Sequence, residues 1–357
     1  LVALCWAVVL PVSALAQAGA GFAGMGQDPG ADFAMPAPDY RLRFPQDHGA
    51  HPDFRLEWWY LTANLAGPDG ADYGVQWTLF RLAFAPEAPG AVASGWESPQ
   101  MWMGHAGLTT PDSHFAAERF ARGGIGQAGV TPAPFAAWID DWQMAGLAPP
   151  GADGLSHLRL SARGDAFAYE LEARAQGPLV AHGAHGFSLK SESGAASHYY
   201  SQPFYEMSGW IETPAGRVAV TGQGWLDREW SSRFLEGEQA GWDWFALHLD
   251  DGRRLMVAQV RDAAQAPFRF GTLIAPDGAA TPLDGADLRL APLSRAAVAG
   301  RDVPVAWRIE LPGHGIDIEA RAVNPDAWMP LSVQYWEGPV RVSGSHAGRG
   351  YLEMTAP

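Results

Sequence analysis

Glu57-Trp58-Trp59-Tyr60-Leu61-Thr62-Ala63-Asn64-Leu65, the turn Gly67-Pro68-Asp69-Gly70, and Tyr73-Gly74-Val75-Gln76-Trp77-Thr78-Leu79-Phe80-Arg81 form the stretch from which the fold is read. The first run is aromatic and β-prone, and the second alternates cleanly. Tyr73, Val75, Trp77 and Leu79 share one face, with Gly74, Gln76, Thr78 and Phe80 on the other. Period-two alternation on both sides of a Pro-Asp-Gly turn predicts a β-hairpin with one core face and one face toward water or a ligand. A second hairpin follows the same plan, with Trp242 to Leu249, a turn at Asp250-Asp251-Gly252, and Arg254 to Arg261. Both open on an aromatic pair, Trp59-Tyr60 and Trp244-Phe245. Both carry Gln then Arg on the second strand, Gln76 and Arg81, Gln259 and Arg261. The recurrence suggests two related β-units.

Further strands are expected at Leu155 to Ser161, Ala166 to Ala173, Gly216 to Trp225, Phe268 to Ile274, Val305 to Leu311, Ile316 to Ala322, Tyr335 to Ser343 and Gly350 to Thr355. Helix evidence is thin, and Ser113 to Ala121 and Phe135 to Met144 are the best short candidates. Many short strands with frequent turns predict an all-β protein of sandwiches or barrels, and closed barrels remove exposed sheet edges.

The chain has 357 residues, 47% of them hydrophobic and 18% charged, with a net charge of −15. This composition supports a large core and excludes extensive disorder. Its acidity argues against nucleic acid and against docking on anionic lipid. Lys190 is the only lysine, a bias from which no function is drawn. The 16 tryptophans fill cores or line cavities for large apolar ligands, and the count does not separate the two. Residues 1–18 read as a secretory signal peptide without its charged start, with cleavage after Ala16 or Ala18, and residues 19–39 as a flexible Gly/Ala/Pro-rich leader. The expected location is periplasmic or secreted. Cys5 lies in the signal segment, so the mature chain relies on its core and not on disulfides. No stable membrane insertion is expected after cleavage.

Trp225-Leu226-Asp227-Arg228-Glu229-Trp230 packs two acids, a base and two indoles into six positions. On a strand, Trp225, Asp227 and Glu229 share one face and Leu226, Arg228 and Trp230 the other. An acid desolvated beside an indole can act as a proton donor to an apolar substrate. The competing reading is a buried ion network of Asp227, Arg228 and Glu229 pinning two units together. Asp47-His48-x-x-His51-x-Asp53 has metal-ligand residue types but reads better as a hydrogen-bonded corner, so no metal and no cofactor are expected. Glu57 is a second acid candidate for a cleft, or a partner for Arg55 or Arg81. His105 and Asp243 are candidates of the same kind.

Phe44 to Tyr60, Gly74 to Arg81, Met103-Gly104-His105-Ala106, Gly224 to Ser232, Tyr335 to Val340 and Gly350 to Thr355 together resemble the motifs of the carotenoid 1,2-hydratase/AttH-like family, across Tyr40 to Thr355. The resemblance implies two lipocalin-like antiparallel β-barrel domains packed side by side, expected here at 40–221 and 222–357. The hydratases' His-x-Trp and Tyr-x-Asp fall on His198-Tyr199-Tyr200 and Trp225-Leu226-Asp227, with the two aromatics exchanged and Arg228-Glu229 in place of His-Asn. That places the chain nearer the exported AttH-like branch. The resemblance implies a hydrophobic ligand, lipid-, polyene- or isoprenoid-like, in a Trp-rich cavity, with service to an ABC-type permease. The alternative it implies is a hydro-lyase or polyene cyclase. Asp227, His198, Tyr200 and Trp225 are the expected catalytic group. Glu57, Trp58, Tyr60, Gln76, His105, Glu229, Trp242, Trp244 and Trp336 are the expected ligand contacts.

Overall fold

The computed structural model describes residues 32–86, 98–236 and 239–355; the expected signal peptide and residues 19–31 of the leader lie outside the described residues. The protein is built almost wholly of strands. They form two antiparallel sheets of 13 and 10 strands, one nearly closed into a barrel and the other curled into a half-barrel, the lipocalin-like pair that the resemblance implies. Among the described residues no helix is long and apolar enough to cross a membrane.

Each sheet is organised around the same central pairing. Its first strand pairs with its sequence neighbour on one side and with the last strand of the same sheet on the other. In the first sheet Leu56–Ala66 lies between Asp72–Ala83 and Gly216–Ser231; in the second Gln239–Leu249 lies between Arg254–Asp262 and Gly348–Thr355. The two hairpins recognised in the sequence are therefore the seams of the two sheets. The chain leaves the first sheet at Ser231 and enters the second at Gln239. The division expected at 221/222 falls inside the Gly216–Ser231 strand, which stays paired with Leu56–Ala66 along its whole second half.

The two helix candidates are strands. His114–Arg122 pairs with Gln100–Thr109, and Phe135–Ile139 turns at Asp140, which adopts a φ of 51°, into Trp142–Gly146. Alanine-rich composition favours helix locally, but tertiary pairing overrides it. Phe135, Ala137 and Ile139 are all buried on one side, the period of a strand. The long strand Ala196–Thr213, which sequence patterning did not isolate, pairs with Gly216–Ser231.

Alternation divides the side chains among three apolar clusters. Trp59, Leu61, Trp77, Leu79 and Trp230 fill the first barrel, and Phe245, Leu247, Trp307, Trp336 and Leu352 fill the second. The third cluster comes from the opposite faces of the same strands, among them Trp58, Tyr60, Tyr199, Trp225, Trp244 and Tyr351, and lies between the sheets. The inferred hairpin repeat holds with a shift. Tyr60 and Trp244 are the equivalent pair that meets between the sheets, 5.3 Å apart edge to face, while Trp59 and Phe245 point into separate cores.

One ion cluster locks the first barrel. The Glu57 carboxylate is fully buried between the guanidiniums of Arg81 and Arg228. The backbone N–H of His51 donates to it at 2.9 Å, and Arg81 Nη2 donates to the carbonyls of His51 and Phe54, both at 2.7 Å. Arg228 lies 3.9 Å above the Trp59 ring, and His51 stacks on Trp230 at 4.0 Å. Burial pushes the Glu57 carboxyl up, but the two guanidiniums outweigh this and hold it well below the usual carboxylate range. Glu57 thus anchors the 48–54 corner from inside the first barrel and does not line the cavity between the sheets. Removing one partner of a buried pair strands the others, so Glu57→Gln is expected to cost about 3–5 kcal/mol in urea-induced unfolding at neutral pH; a loss under about 1 kcal/mol would show that the cluster does not anchor the barrel.

Candidate functional site

The seam registers bring the site together. Tyr60 stands opposite Asp227 and Thr78, and Trp58 opposite Glu229 and Phe80. Across the gap, Trp244 stands opposite Glu353 and Ala258, and Trp242 opposite Val260. Both sheets thus present outward faces to a shared cavity that holds about 50 Å³ for the centres of water molecules, room for a few waters or a small branched group. Its wall is mainly aromatic. Phe80, Trp242 and Phe270, only half-buried, stand where it approaches solvent.

Four ionisable groups interrupt this apolar lining: Asp227, Glu229, Glu353 and Lys190. Asp227 is almost wholly buried and makes no ion pair among the described residues. Its Oδ2 accepts from the Tyr199 hydroxyl at 2.7 Å, and its Oδ1 accepts from Trp225 Nε1 at 2.6 Å and from the Ser201 hydroxyl. Burial drives its pKa up; the three hydrogen bonds pull it back and the nearby Glu229 pushes it up again, to about 7. Glu353 accepts from Trp242 Nε1 at 2.6 Å and is likewise raised by burial to about 7. Behind the wall, Glu337 accepts from the Tyr60 hydroxyl, and burial lifts its pKa well above the ordinary value. Glu229 pairs with Lys190 at 2.8 Å and accepts from Ser197.

A hydrogen-bonded line leads away from Asp227. The Ser201 hydroxyl that donates to Oδ1 lies 2.6 Å from His182 Nε2, and His182 Nδ1 lies 2.8 Å from the Thr272 hydroxyl. Burial drives the His182 pKa down to about 3, so the ring is neutral at physiological pH and can accept at one nitrogen while donating at the other. His182 and Thr272 also line a broad outer groove of about 790 Å³. The line therefore runs from the buried acid to the floor of that groove, where His182 and Thr272 are themselves still buried.

Trp58, Tyr60, Glu229, Trp242 and Trp244 lie at the cavity, as does Asp227. Gln76 is two residues along from Thr78 and donates to its hydroxyl. His105 sits behind Tyr335, with Nδ1 2.9 Å from that phenol. Trp225 is buried beside Asp227 and reaches it only through its indole N–H. Trp336 is in the second core, where it donates to the Pro325 carbonyl at 2.7 Å. His198 and Tyr200 are not brought to Asp227. They face the first barrel, His198 against Tyr40 and Tyr200 hydrogen-bonded to His48 at 2.8 Å. Parity is the reason: Ser201 pairs directly with Asp227 and Tyr199 with Glu229, so the odd-numbered residues of this strand share the acids' face. The single ion network expected of Asp227, Arg228 and Glu229 also divides. Arg228 pairs with Glu57 on the far face, Glu229 with Lys190, and Asp227 with hydroxyls and an indole. Among the described residues no group of three or more His, Cys, Asp and Glu is set to hold a metal.

Tyr199, Ser201, His182, Lys190, Glu337 and Glu353 carry no site role in the sequence reading. Glu337 and Glu353 do carry a legible signal. Each is an acid inside an apolar strand, Tyr335-Trp336-Glu337 and Tyr351-Leu352-Glu353-Met354.

The sequence profile of the AttH-like family matches residues 35–357. The chain belongs to the AttH-like family. A protein of Nitrosomonas europaea, provisionally named AttH, has a crystal structure with 31% identity to this AttH-like chain and a TM-score of 0.78, covering 90% of this chain and 99% of its own. Kievitone hydratase from Nectria haematococca shares the fold at 16% identity and a TM-score of 0.64, over 91% of this chain and 98% of its own. CghA, crystallised with Sch210972, shares it at 12% identity and a TM-score of 0.53, over 91% of this chain and 97% of its own. No curated protein sequence matches the chain.

The raised acid of this AttH-like protein makes a stability prediction. A carboxyl whose pKa rises from 3.8 to about 7 on folding opposes folding in its charged form. Its favourable share is complete below about pH 4 and is lost as pH rises through 7, a swing on the order of 4 kcal/mol. Asp227→Asn is therefore expected to gain stability relative to the parent from pH 5 to about pH 7 and to hold that gain to pH 8, followed by thermal unfolding. A stability difference that does not change over that range would place the Asp227 pKa near its ordinary value.

Proposed function

We propose that this AttH-like protein is a hydro-lyase-type acid catalyst that protonates a carbon–carbon double bond in the small branched end of an apolar, isoprenoid- or polyene-like substrate, seated in the cavity between its sheets. The observation that carries this reading is the buried Asp227 carboxyl, poised near pH 7 among aromatic faces. A neutral carboxylic acid in an apolar site is a competent donor, and one whose pKa is near 7 can give up and regain its proton at working pH. Proton transfer from Asp227 to one alkene carbon leaves a carbocation at the other. The faces of Trp58, Tyr60 and Trp244 lie around the cavity to stabilise it. Water then adds to the cation, and its surplus proton goes to Glu353 as carboxylate. Reprotonation of Asp227 runs through Ser201 and His182 from the outer groove. Net, one water is added across the double bond. Capture of the same cation by a second double bond would give a cyclase.

Kievitone hydratase is by its name a hydratase, and CghA holds Sch210972 in its crystal; these relatives support chemistry in this fold, with residue roles assigned here only from the geometry above. Under the carrier reading the cavity would hold a hydrophobic ligand for an ABC-type permease without turnover. Two titratable carboxyls facing one cavity favour the lyase reading, since simple retention of an apolar ligand has no use for them. The composition of residues 1–18 supports a periplasmic or secreted location.

The test is turnover of small terminal isoprenoid alkenes in ¹⁸O-labelled water, read by mass spectrometry. The wild type is expected to incorporate the label with a bell-shaped pH profile centred near 7, falling above as Asp227 loses its proton and below as Glu353 gains one. Asp227→Asn is expected to lose about two to four orders of magnitude in rate, and His182→Phe a smaller factor, mainly in kcat. Full activity in Asp227→Asn would remove it as the acid.

A further inference from the structure

Lys190 is the only lysine in a chain with 24 basic residues, and it is placed at the cavity wall. Its Nζ lies 4.2 Å from the ring centre of Phe270, 4.9 Å from Tyr199 and 5.2 Å from Phe234. It donates to Ser188 Oγ at 3.1 Å and sits 2.8 Å from Glu229 Oε1, with Asp227 two residues along the same face. A residue needed only to neutralise Glu229 could be arginine, which the chain uses at every other basic position. The two differ in that a primary amine can lose its proton and attack carbon, and a guanidinium cannot.

We propose that Lys190 is a carbonyl-capturing amine, forming an imine in this cavity with an apolar aldehyde or ketone. The inference rests on the cavity being the ligand site, and it narrows the substrate class to apolar molecules that carry a carbonyl. The Lys190 ammonium first passes a proton to Glu229. The free amine adds through its lone pair to the carbonyl carbon, and the carbonyl π electrons move to oxygen, which takes up a proton. The carbinolamine then expels that oxygen as water while the nitrogen lone pair forms the C=N bond. Glu229 keeps the counter-charge of the protonated imine, as it does for the ammonium. Ammonium and carbonyl thus become iminium and water with no oxidant or reductant. The aromatic faces that surround the ammonium stabilise the iminium equally well. Burial also holds the amine below the usual lysine pKa, which favours the nucleophilic form.

The single lysine makes the test direct. The folded, full chain is treated at pH 7 with 3-methylbut-2-enal and sodium cyanoborohydride, and labelled peptides are quantified by mass spectrometry. The α-amino group is the internal reference. An ordinary lysine would react roughly 100-fold more slowly than the α-amine, because of its higher pKa. Lys190 is expected to be labelled at least as fast as the α-amine, and glyoxylate, an anionic aldehyde, is expected to leave it unlabelled beside the cavity carboxyls. Labelling of the α-amine alone in the folded chain, with Lys190 reacting only after urea unfolding, would overturn the proposal. Equal labelling of Lys190 by glyoxylate would overturn the apolar class. The readout needs no turnover, so failure of hydration and failure of imine capture are separate results.

Discussion

The ladder between Leu56–Ala66 and Gly216–Ser231 is the constraint on which the rest of the structure depends. It joins the first strand of the first sheet to its last and sets which side chains each strand sends to each face. On one face Glu57 and Trp59 meet Arg228 and Trp230 inside the barrel. On the other Trp58 and Tyr60 meet Asp227 and Glu229 between the sheets. A slip of one residue would send Asp227 into the barrel and Arg228 into the cavity, exchanging a raised acid for a cation. The ion cluster around Glu57 opposes that slip, because its three charges are satisfied only in the observed register.

The same alternation separates two treatments of buried charge in one segment. Glu57 is surrounded by guanidiniums and held ionised, while Asp227 is surrounded by hydroxyls, an indole and another acid and held near neutrality. Arg228 follows Asp227 in sequence yet does not counter it, since adjacent strand residues face opposite ways. What the cavity contains instead is a group of acids with one amine. That composition suits proton transfer to an apolar molecule better than electrostatic recognition of a charged one.

Much of this was legible in the amino-acid sequence. The two seam hairpins, most of the later strands and the two-face reading of Trp225 to Trp230 followed from period-two alternation, while Trp58, Tyr60, Trp242 and Trp244 were named through the family resemblance and do line the cavity. The errors have physical causes. Ala-rich runs at 113–121 and 135–144 carry helix propensity that sheet pairing overrides. The Ala196–Thr213 strand mixes polar and aromatic residues on both faces because both are buried, so its phase was not visible, and His198 and Tyr200 were assigned to the wrong side of it. Glu57 reads in sequence as a cleft acid or as a partner of Arg55 or Arg81; the structure pairs it with Arg81 and adds Arg228, which no short-range pattern connects to it. Glu337 and Glu353 come from the second sheet, and only the packing of the two sheets brings them to Asp227's neighbourhood.

The central claim is that a neutral carboxylic acid exists at Asp227 near physiological pH. A titration of the protonated carboxyl stretch by infrared difference spectroscopy, comparing wild type with Asp227→Asn, measures it directly. The account predicts a band absent from the variant that disappears with a midpoint near pH 7. A midpoint near pH 4 would contradict it, leaving Asp227 a charged acceptor for Tyr199, Ser201 and Trp225.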